Sequence, residues 1–460
     1  MKIIFATAAG LLAFQPMMWL IKTWFDPAYQ SDGFLVVILV GGLLLWSVTS
    51  SPIKHLAVTK TILILLGLTV LVRLIGQVLD INIISTLVLV IDVYILGLLL
   101  RLHQRQQPIS PFWLAILFAF ALPLEQVIQH TISYNLQFMT TVGACQILNL
   151  TTIPIQCENL IISFADKGLL VDLPCSGARG LLLLFVLFSA LSTIIRHNWL
   201  YASVGIMMVL IAAFIINSLR IALLVVELNY TNDMKYHDIV GFTALAICII
   251  LIVWWITKIP NSTKFTVLNT IKPTNFIAIS FLIVSILIIN FPTYPIDVTK
   301  KIESPILPNF IGNLAASHDK LPIYEQFTQY GGGAAKANYG PYELLKVTTS
   351  SPLRNFHTPF ESLPTHKVSY VISTYNTLPT SIYHSIDPQG KQWYIRITFV
   401  ADNGMTTPYI SEAVLHWLQN RNMNWTMVQR IIPFDTPNVE EWDIAISRAL
   451  ELAHSYYSKD

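Results

Sequence analysis

Long apolar runs dominate this chain and leave it few ways to fold. A helix needs about 20 mostly apolar residues to cross the hydrocarbon core of a bilayer. Nine stretches qualify: about residues 3–21, 34–50, 61–79, 82–100, 110–126, 178–195, 199–219, 238–257 and 274–291. The first follows Lys2 as a signal peptide would, but it lacks a small-x-small cleavage site and further runs follow at once. It is therefore read as a helix. Charge is scarce to match: 12% of the 460 residues are charged, against roughly 25% in soluble domains. A net charge of +2 offers no field to attract phosphates. These figures exclude a purely soluble protein, a disordered chain and a nucleic-acid binder. The shortage is uneven, with 26 of the 54 charged residues in 1–291 and 28 in 292–460. The expected fold class is an all-α polytopic bundle of about nine transmembrane helices over 1–291. A small α+β extracytoplasmic domain over 292–460 follows it.

Basic residues set the expected orientation. With the N-terminus inside, Lys2, Lys54, Lys60, Arg101, Arg105, Arg196, Lys258, Lys264 and Lys272 all fall on the cytoplasmic side. The opposite connections carry mainly Asp26, Asp32, Asp80 and Glu125, with Lys22 as a minor exception. Nine spans then put the C-terminal domain outside.

Two regions lie outside the membrane in this reading. In 127–176, Leu160–Phe164 and Leu169–Leu173 flank the turn-like Ala165-Asp-Lys-Gly168, which implies a short hairpin leading into Pro174-Cys175. In 292–460, Val368–Ser373 and Trp393–Val400 read as strands, the latter alternating Tyr394/Arg396/Thr398 with Ile395/Ile397/Phe399. Thr407-Pro408 opens a helix carrying Ile410, Val414, Trp417 and Leu418 on one face. Asn438 caps another, with Val439, Trp442, Ile446 and Ala449 in a stripe.

Ionisable groups at membrane helix ends are costly and point to function. Cys175 lies in Asp172-Leu-Pro-Cys-Ser-Gly-Ala-Arg179 before the sixth run, Arg220 in Asn217-Ser-Leu-Arg-Ile221 at the end of the seventh, and His237 in Tyr236-His-Asp-Ile-Val-Gly241 at the start of the eighth. The topology brings all three to the outer surface on consecutive helix ends. A nearby cation lowers a thiol's pKa and makes it a nucleophile. His237 suits proton transfer, and Arg220 suits stabilising a thiolate or an oxyanion. Backbone amides at Ser176 and Gly177 add oxyanion donors, and Asn217 stands one turn before Arg220. Arg179, one turn into the sixth run, is a secondary candidate that lines the site or binds a lipid phosphate. The chemistry implied is acyl transfer through a thioester.

The Pro-Cys-Ser-Gly-x-Arg, Asn-x-x-Arg-Ile and His-x-x-x-Gly segments, in this order on polytopic helices, resemble the exosortase/archaeosortase family over roughly residues 60–260. The resemblance implies a membrane cysteine peptidase or transpeptidase acting on PEP-CTERM-like C-terminal sorting signals. Such a signal is a short motif, a transmembrane helix and a basic cluster. It makes Cys175 the nucleophile, Arg220 the essential arginine and His237 the third member. The partners implied are membrane-anchored substrate proteins and the lipid bilayer, in a bacterial inner membrane with the N-terminus cytoplasmic and the C-terminal domain periplasmic. Around His357-Thr-Pro-Phe-Glu-Ser362, the soluble domain that accompanies some members is expected to carry Cys where Ser362 stands. That departure leaves the domain with an accessory reading.

Cys145 and Cys157 are both outside; a disulfide and two unpaired small apolar side chains are equal alternatives. Cys248 reads as packing, and Asp92 and Glu227 receive no catalytic role. Gly331-Gly-Gly333 lacks the context of a phosphate-binding loop, and no residue cluster has metal-ligand spacing, so no metal or cofactor is expected. A membrane thiol-disulfide oxidoreductase is the competing reading, but no Cys-x-x-Cys is present and Arg220 and His237 stay unexplained. A non-enzymatic transporter or exopolysaccharide-export component would make the three motifs a coincidence.

Overall fold

The computed structural model describes residues 2–25, 31–51, 59–124, 128, 133–158, 160–164, 167–171, 177–231, 237–258, 275–293, 307–316, 323–326, 333–339, 343–350, 356, 367–374, 378–436 and 439–450. The chain divides into two compact units. One comprises Met1–Val127 with Leu136–Pro295, and the other Ile128–Asn135 with Ile296–Asp460.

The first unit is helical. Its elements are α1 (Lys2–Phe25), α2 (Gly33–Thr49), α3 (Lys60–Leu79), α4 (Asn82–Leu99), α5 (Pro111–Ala119), α6 (Ser133–Leu148, within this unit from Leu136), α7 (Ala178–Ile195), α8 (Trp199–Thr231), α9 (His237–Thr257) and α10 (Asn275–Ile289). Among the described residues, five helices are long and apolar enough to cross a membrane: Lys60–Leu79, Asn82–Gln104, Ala178–Ile195, Trp199–Tyr230 and Ile239–Thr257. Gly33–Thr49 and Phe276–Ile289 are apolar but shorter. Nine full spans are therefore not found among the described residues. The expected run at 110–126 departs most. Ser110 accepts a hydrogen bond from Trp113 N, and Pro111 opens α5, but the helix stops at Ala119 three residues before Leu122-Pro123. Its nine residues rise only about 14 Å.

Arg73 on α3 is 2% exposed and donates to Ser85 Oγ on α4 at 2.8 Å and to Gln15 Oε1 on α1. The three helices are joined through a guanidinium whose cost in hydrocarbon these acceptors offset.

The region expected to be extramembrane holds more than a hairpin. Strands β1 (Ile155–Glu158), β2 (Ile161–Phe164) and β3 (Lys167–Leu170) form an antiparallel sheet in that order. The β2–β3 pair is the expected hairpin, its register closing at Phe164↔Lys167. Before it, α6 buries Gln137, Thr140, Thr141, Ala144, Cys145 and Leu148, a helical i, i+3, i+4, i+7 stripe. A Cys145–Cys157 disulfide joins α6 to β1, deciding between the two readings of these cysteines.

The second unit is a sheet between helices. Strands β4 (Phe310–Ile311) and β5 (Leu314–Ala315) pair separately. The main sheet runs β6 (Ile323–Gln326), β7 (Gly333–Tyr339), β8 (Glu343–Ser350), β13 (Trp425–Pro433), β11 (Gln392–Ala401), β10 (Thr380–Ile386) and β9 (Lys367–Thr374), all antiparallel, with β12 (Thr406–Thr407) on β11. Ile395, Ile397 and Phe399 of β11 pack under α11 (Ile410–Gln419) through Ala413, Val414 and Trp417. Val428 on the other face meets Ile446 of α12 (Val439–Ala449). Period-2 alternation thus feeds two apolar layers rather than one wet face. The expected helix start at Thr407-Pro408 moves to Ile410, because Thr406 and Thr407 pair with Val400 and Phe399. Asn438, read as a cap, and the His357–Ser362 segment lie outside the described residues. Under α12, Asp443 takes Arg396 and Arg430 together, with N–O distances of 2.5 Å to each.

Candidate active site

The site is defined by what holds its three helix ends together. Helix α8 runs 33 residues, beyond the expected end at 219, since nothing after Gly205 interrupts it. Counting from Trp199, Arg220 lies about 32 Å along the axis, close to the roughly 30 Å of a hydrocarbon core. The last turns, with Ile221, Ala222, Leu224 and Val225, enter a core built with Ala144, Cys145 and Leu148 of α6 and Ile162, Phe164 and Val171 of the small sheet.

Cys175 and Ser176 lie outside the described residues, but the described residues on either side of them, Val171 and Gly177, are well held. On one side Val171 is fully buried and its N–H donates to Leu160 O at 2.9 Å. On the other, Gly177 opens α7 with φ +79°, in the left-handed region that L side chains disfavour. A Cβ there would stand 2.6 Å from Asn217 Nδ2 and 2.7 Å from Asn217 Cγ. The absence of a side chain lets α8 press Asn217 directly onto the backbone two residues from Cys175.

Arg220 makes the matching contact with α9. A Cβ on Gly241 would lie 3.4 Å from Arg220 Nε and 3.5 Å from its Cζ and Nη2. The guanidinium therefore rests against the α9 backbone one turn after His237. His237 is the first residue of α9; i and i+4 positions share a helix face. Asn217 and Arg220, three apart, share a face of α8 in the same way. Gly177 against Asn217 and Gly241 against Arg220 thus bring the starts of α7 and α9 to one stretch of α8.

Asn217 is held by α6 as well. Its Nδ2 donates to Thr140 Oγ1 of α6 at 3.3 Å, with both side chains buried. Close approach of α6 and α8 allows this, since a Cβ on Gly143 would stand 2.5 Å from Ser218 Oγ. Arg179 turns elsewhere: its Nη2 pairs with Asp32 Oδ2 at 3.0 Å, both side chains being about two-thirds exposed. It links the starts of α7 and α2. The sequence reading passes over Thr140, Gly143 and Arg73. The helical spacing from Gln137 to Leu148 is the signal that reveals the first two, whereas Arg73 carries none beyond its charge.

Compared with known families, the chain matches a model described as Transmembrane exosortase (Exosortase_EpsH) over residues 24–254, just over half its length. No curated protein and no solved structure matches it.

Proposed function

The chain belongs to the transmembrane exosortase family, and from that premise we propose that it is a membrane cysteine peptidase or transpeptidase that cleaves C-terminal, PEP-CTERM-like sorting signals of exported proteins. The observation that supports the proposal is the pair of contacts that Gly177 makes with Asn217 and Gly241 with Arg220. It ties together the three sequence segments whose residue types suit thiol acyl transfer.

In this reading Cys175 Sγ, as thiolate, attacks the scissile carbonyl carbon. The carbonyl oxygen becomes an oxyanion, and Arg220 supports the negative charge with backbone amides at Ser176 and Gly177. Collapse breaks the C–N bond, His237 gives its proton to the leaving amine, and an acyl thioester remains on Cys175. Water or an amine then attacks the thioester and returns the thiol. The proposed setting is a bacterial inner membrane with the site at its outer face, the N-terminus cytoplasmic and the 292–460 domain periplasmic and accessory. A lipid bilayer and membrane-anchored proteins with C-terminal sorting signals are the proposed partners. The Cys145–Cys157 crosslink occupies the two cysteines that a thiol-disulfide oxidoreductase would need beside Cys175.

The test uses a candidate substrate tagged ahead of its C-terminal helix. Cys175→Ala and Arg220→Ala each abolish processing while the protein inserts normally. Processing that survives loss of the Cys175 thiol overturns the mechanism, and a trapped mixed disulfide in place of a thioester points to redox chemistry.

A further inference from the structure

We propose that β3 (Lys167–Leu170) is a docking edge for an extended peptide, on which the client segment ahead of the cleaved bond adds as a fourth strand. The inference deepens the peptidase reading and rests on it for the identity of the client. The site itself is the backbone of β3.

The hydrogen-bond phase of the hairpin gives the geometry. Val171 N–H donates to Leu160 O at 2.9 Å. The register then pairs Ile161 with Leu170, Ile162 with Leu169, Ser163 with Gly168 and Phe164 with Lys167. Bonded and non-bonded pairs alternate along an antiparallel ladder. Val171, Leu169 and Lys167 therefore turn their N–H and C=O groups toward β2, and Gly168 and Leu170 turn theirs the other way. Among the described residues no strand stands on that side, because the sheet runs β1-β2-β3. Two donors and two acceptors, repeating about 7 Å apart, match alternate residues of an extended peptide.

By the same alternation β1, the opposite edge, turns Ile155 and Cys157 outward. Two observations favour β3 over it. Strand β3 ends beside buried Val171, four residues before Cys175 in sequence, which is at most about 14 Å of chain, whereas β1 leads back to α6. Gly168 also brings no side chain to the edge, and a strand glycine suits close approach of a second backbone. The face of the added strand follows as well. Leu169 packs against the core that holds Ile162, Phe164 and Ile221, and cross-strand partners share a face. Client residues opposite Leu169 and Lys167 therefore turn toward that core and are expected to be apolar, with polar residues between them.

The experiment uses the full chain in detergent, as Cys175→Ala so that bound peptide is not turned over. The probe is a fluorescein-labelled peptide copied from the candidate substrate just ahead of its C-terminal helix, and anisotropy reads its affinity. N-methylation at successive positions deletes one peptide N–H at a time. At alternate positions, those facing β3, it is expected to weaken binding by about fivefold, the worth of a hydrogen bond; at the positions between them it has no effect. Gly168→Pro deletes an outward N–H, which an edge strand tolerates. It is expected to weaken binding at least as much while Val171 N–H keeps its exchange protection. Ile155→Pro makes the same deletion on β1 and leaves binding unchanged. A peptide that fails to bind, equal effects of methylation at both sets of positions, or loss of binding in Ile155→Pro overturns the inference. So does wild-type affinity in Gly168→Pro. The methylated peptides decide the matter even where Gly168→Pro loses the hairpin. Substrate processing that persists in Cys175→Ala overturns the nucleophile reading instead and leaves the β3 result standing.

Discussion

Replacing Gly177 by alanine isolates the contact between α7 and α8 on which the proposed site rests. The added methyl meets two costs. A left-handed backbone at φ +79° costs an L residue roughly 1–2 kcal/mol. A Cβ placed 2.6 Å from Asn217 Nδ2 and 2.7 Å from Asn217 Cγ must push one helix away, and overpacking of this kind costs about 1–3 kcal/mol. The sum, roughly 2–5 kcal/mol, is large for one local contact and modest for a helical bundle. The bundle is therefore expected to survive while the start of α7 shifts off Asn217. Hydrogen exchange over residues 177–184 reads this directly, and the p-nitrophenyl acetate burst reads its consequence for Cys175. Two neighbours calibrate the result. A Cβ on Gly180 meets nothing within 4 Å, so Gly180→Ala keeps wild-type exchange and gains up to about 1 kcal/mol of helix propensity. Gly241→Ala adds an ordinary contact with Arg220 and is tolerated. Wild-type exchange and a wild-type burst in Gly177→Ala would refute the claim that this contact positions the start of α7.

Three further outcomes follow from other parts of the molecule. Asp443→Ala strands Arg396 and Arg430, at 7% and 2% exposure, without their carboxylate. A loss of about 3–5 kcal/mol is expected, seen as faster hydrogen exchange in β11 and β13 of the full chain. Replacing Cys145 and Cys157 together by alanine opens a crosslink of 12-residue separation, worth about 3 kcal/mol by loop entropy; exchange protection in α6 and β1 should fall while α3 and α4 keep theirs. Burial pushes the pKa of His197, in the turn between α7 and α8, below its usual value. The unfolded chain therefore takes up protons first, and stability falls as pH drops below about 6.5. Melting temperatures of His197→Gln between pH 7.5 and 5.5 should drop less than those of the wild type.

Patterns with a clear period were legible from residues alone. Val368–Ser373 and Trp393–Val400 alternate, and the strands lie at Lys367–Thr374 and Gln392–Ala401. Hydropathy located the apolar runs but misjudged their ends. It counted Phe120 to Leu122 into a span, although Pro123 cannot extend α5. It stopped at 219 in α8, although no residue there interrupts a helix. Helix α6 escaped because half of its buried stripe is Gln137, Thr140 and Thr141, which read as surface. For the site, residue types in the motifs named Arg220, Asn217 and Gly177. The contacts among them depend on how helices cross, and spacing along one chain carries little of that. Thus Gly241 against Arg220 and Thr140 beneath Asn217 emerge only in three dimensions.

The length of α8 has a consequence for which peptide bonds could be cut. From Trp199 to Arg220 it is a continuous rod, so the height of the guanidinium above the start of the helix is about 32 Å and hardly adjustable. A client helix lying alongside would be measured against that rod. Roughly 20 residues of its own helix would bring a bond level with Arg220, and a helix shorter by one turn would leave the bond about 5 Å below it. Under the proposed peptidase reading, bilayer thickness, client length and selectivity would then be one variable, with α8 as the gauge.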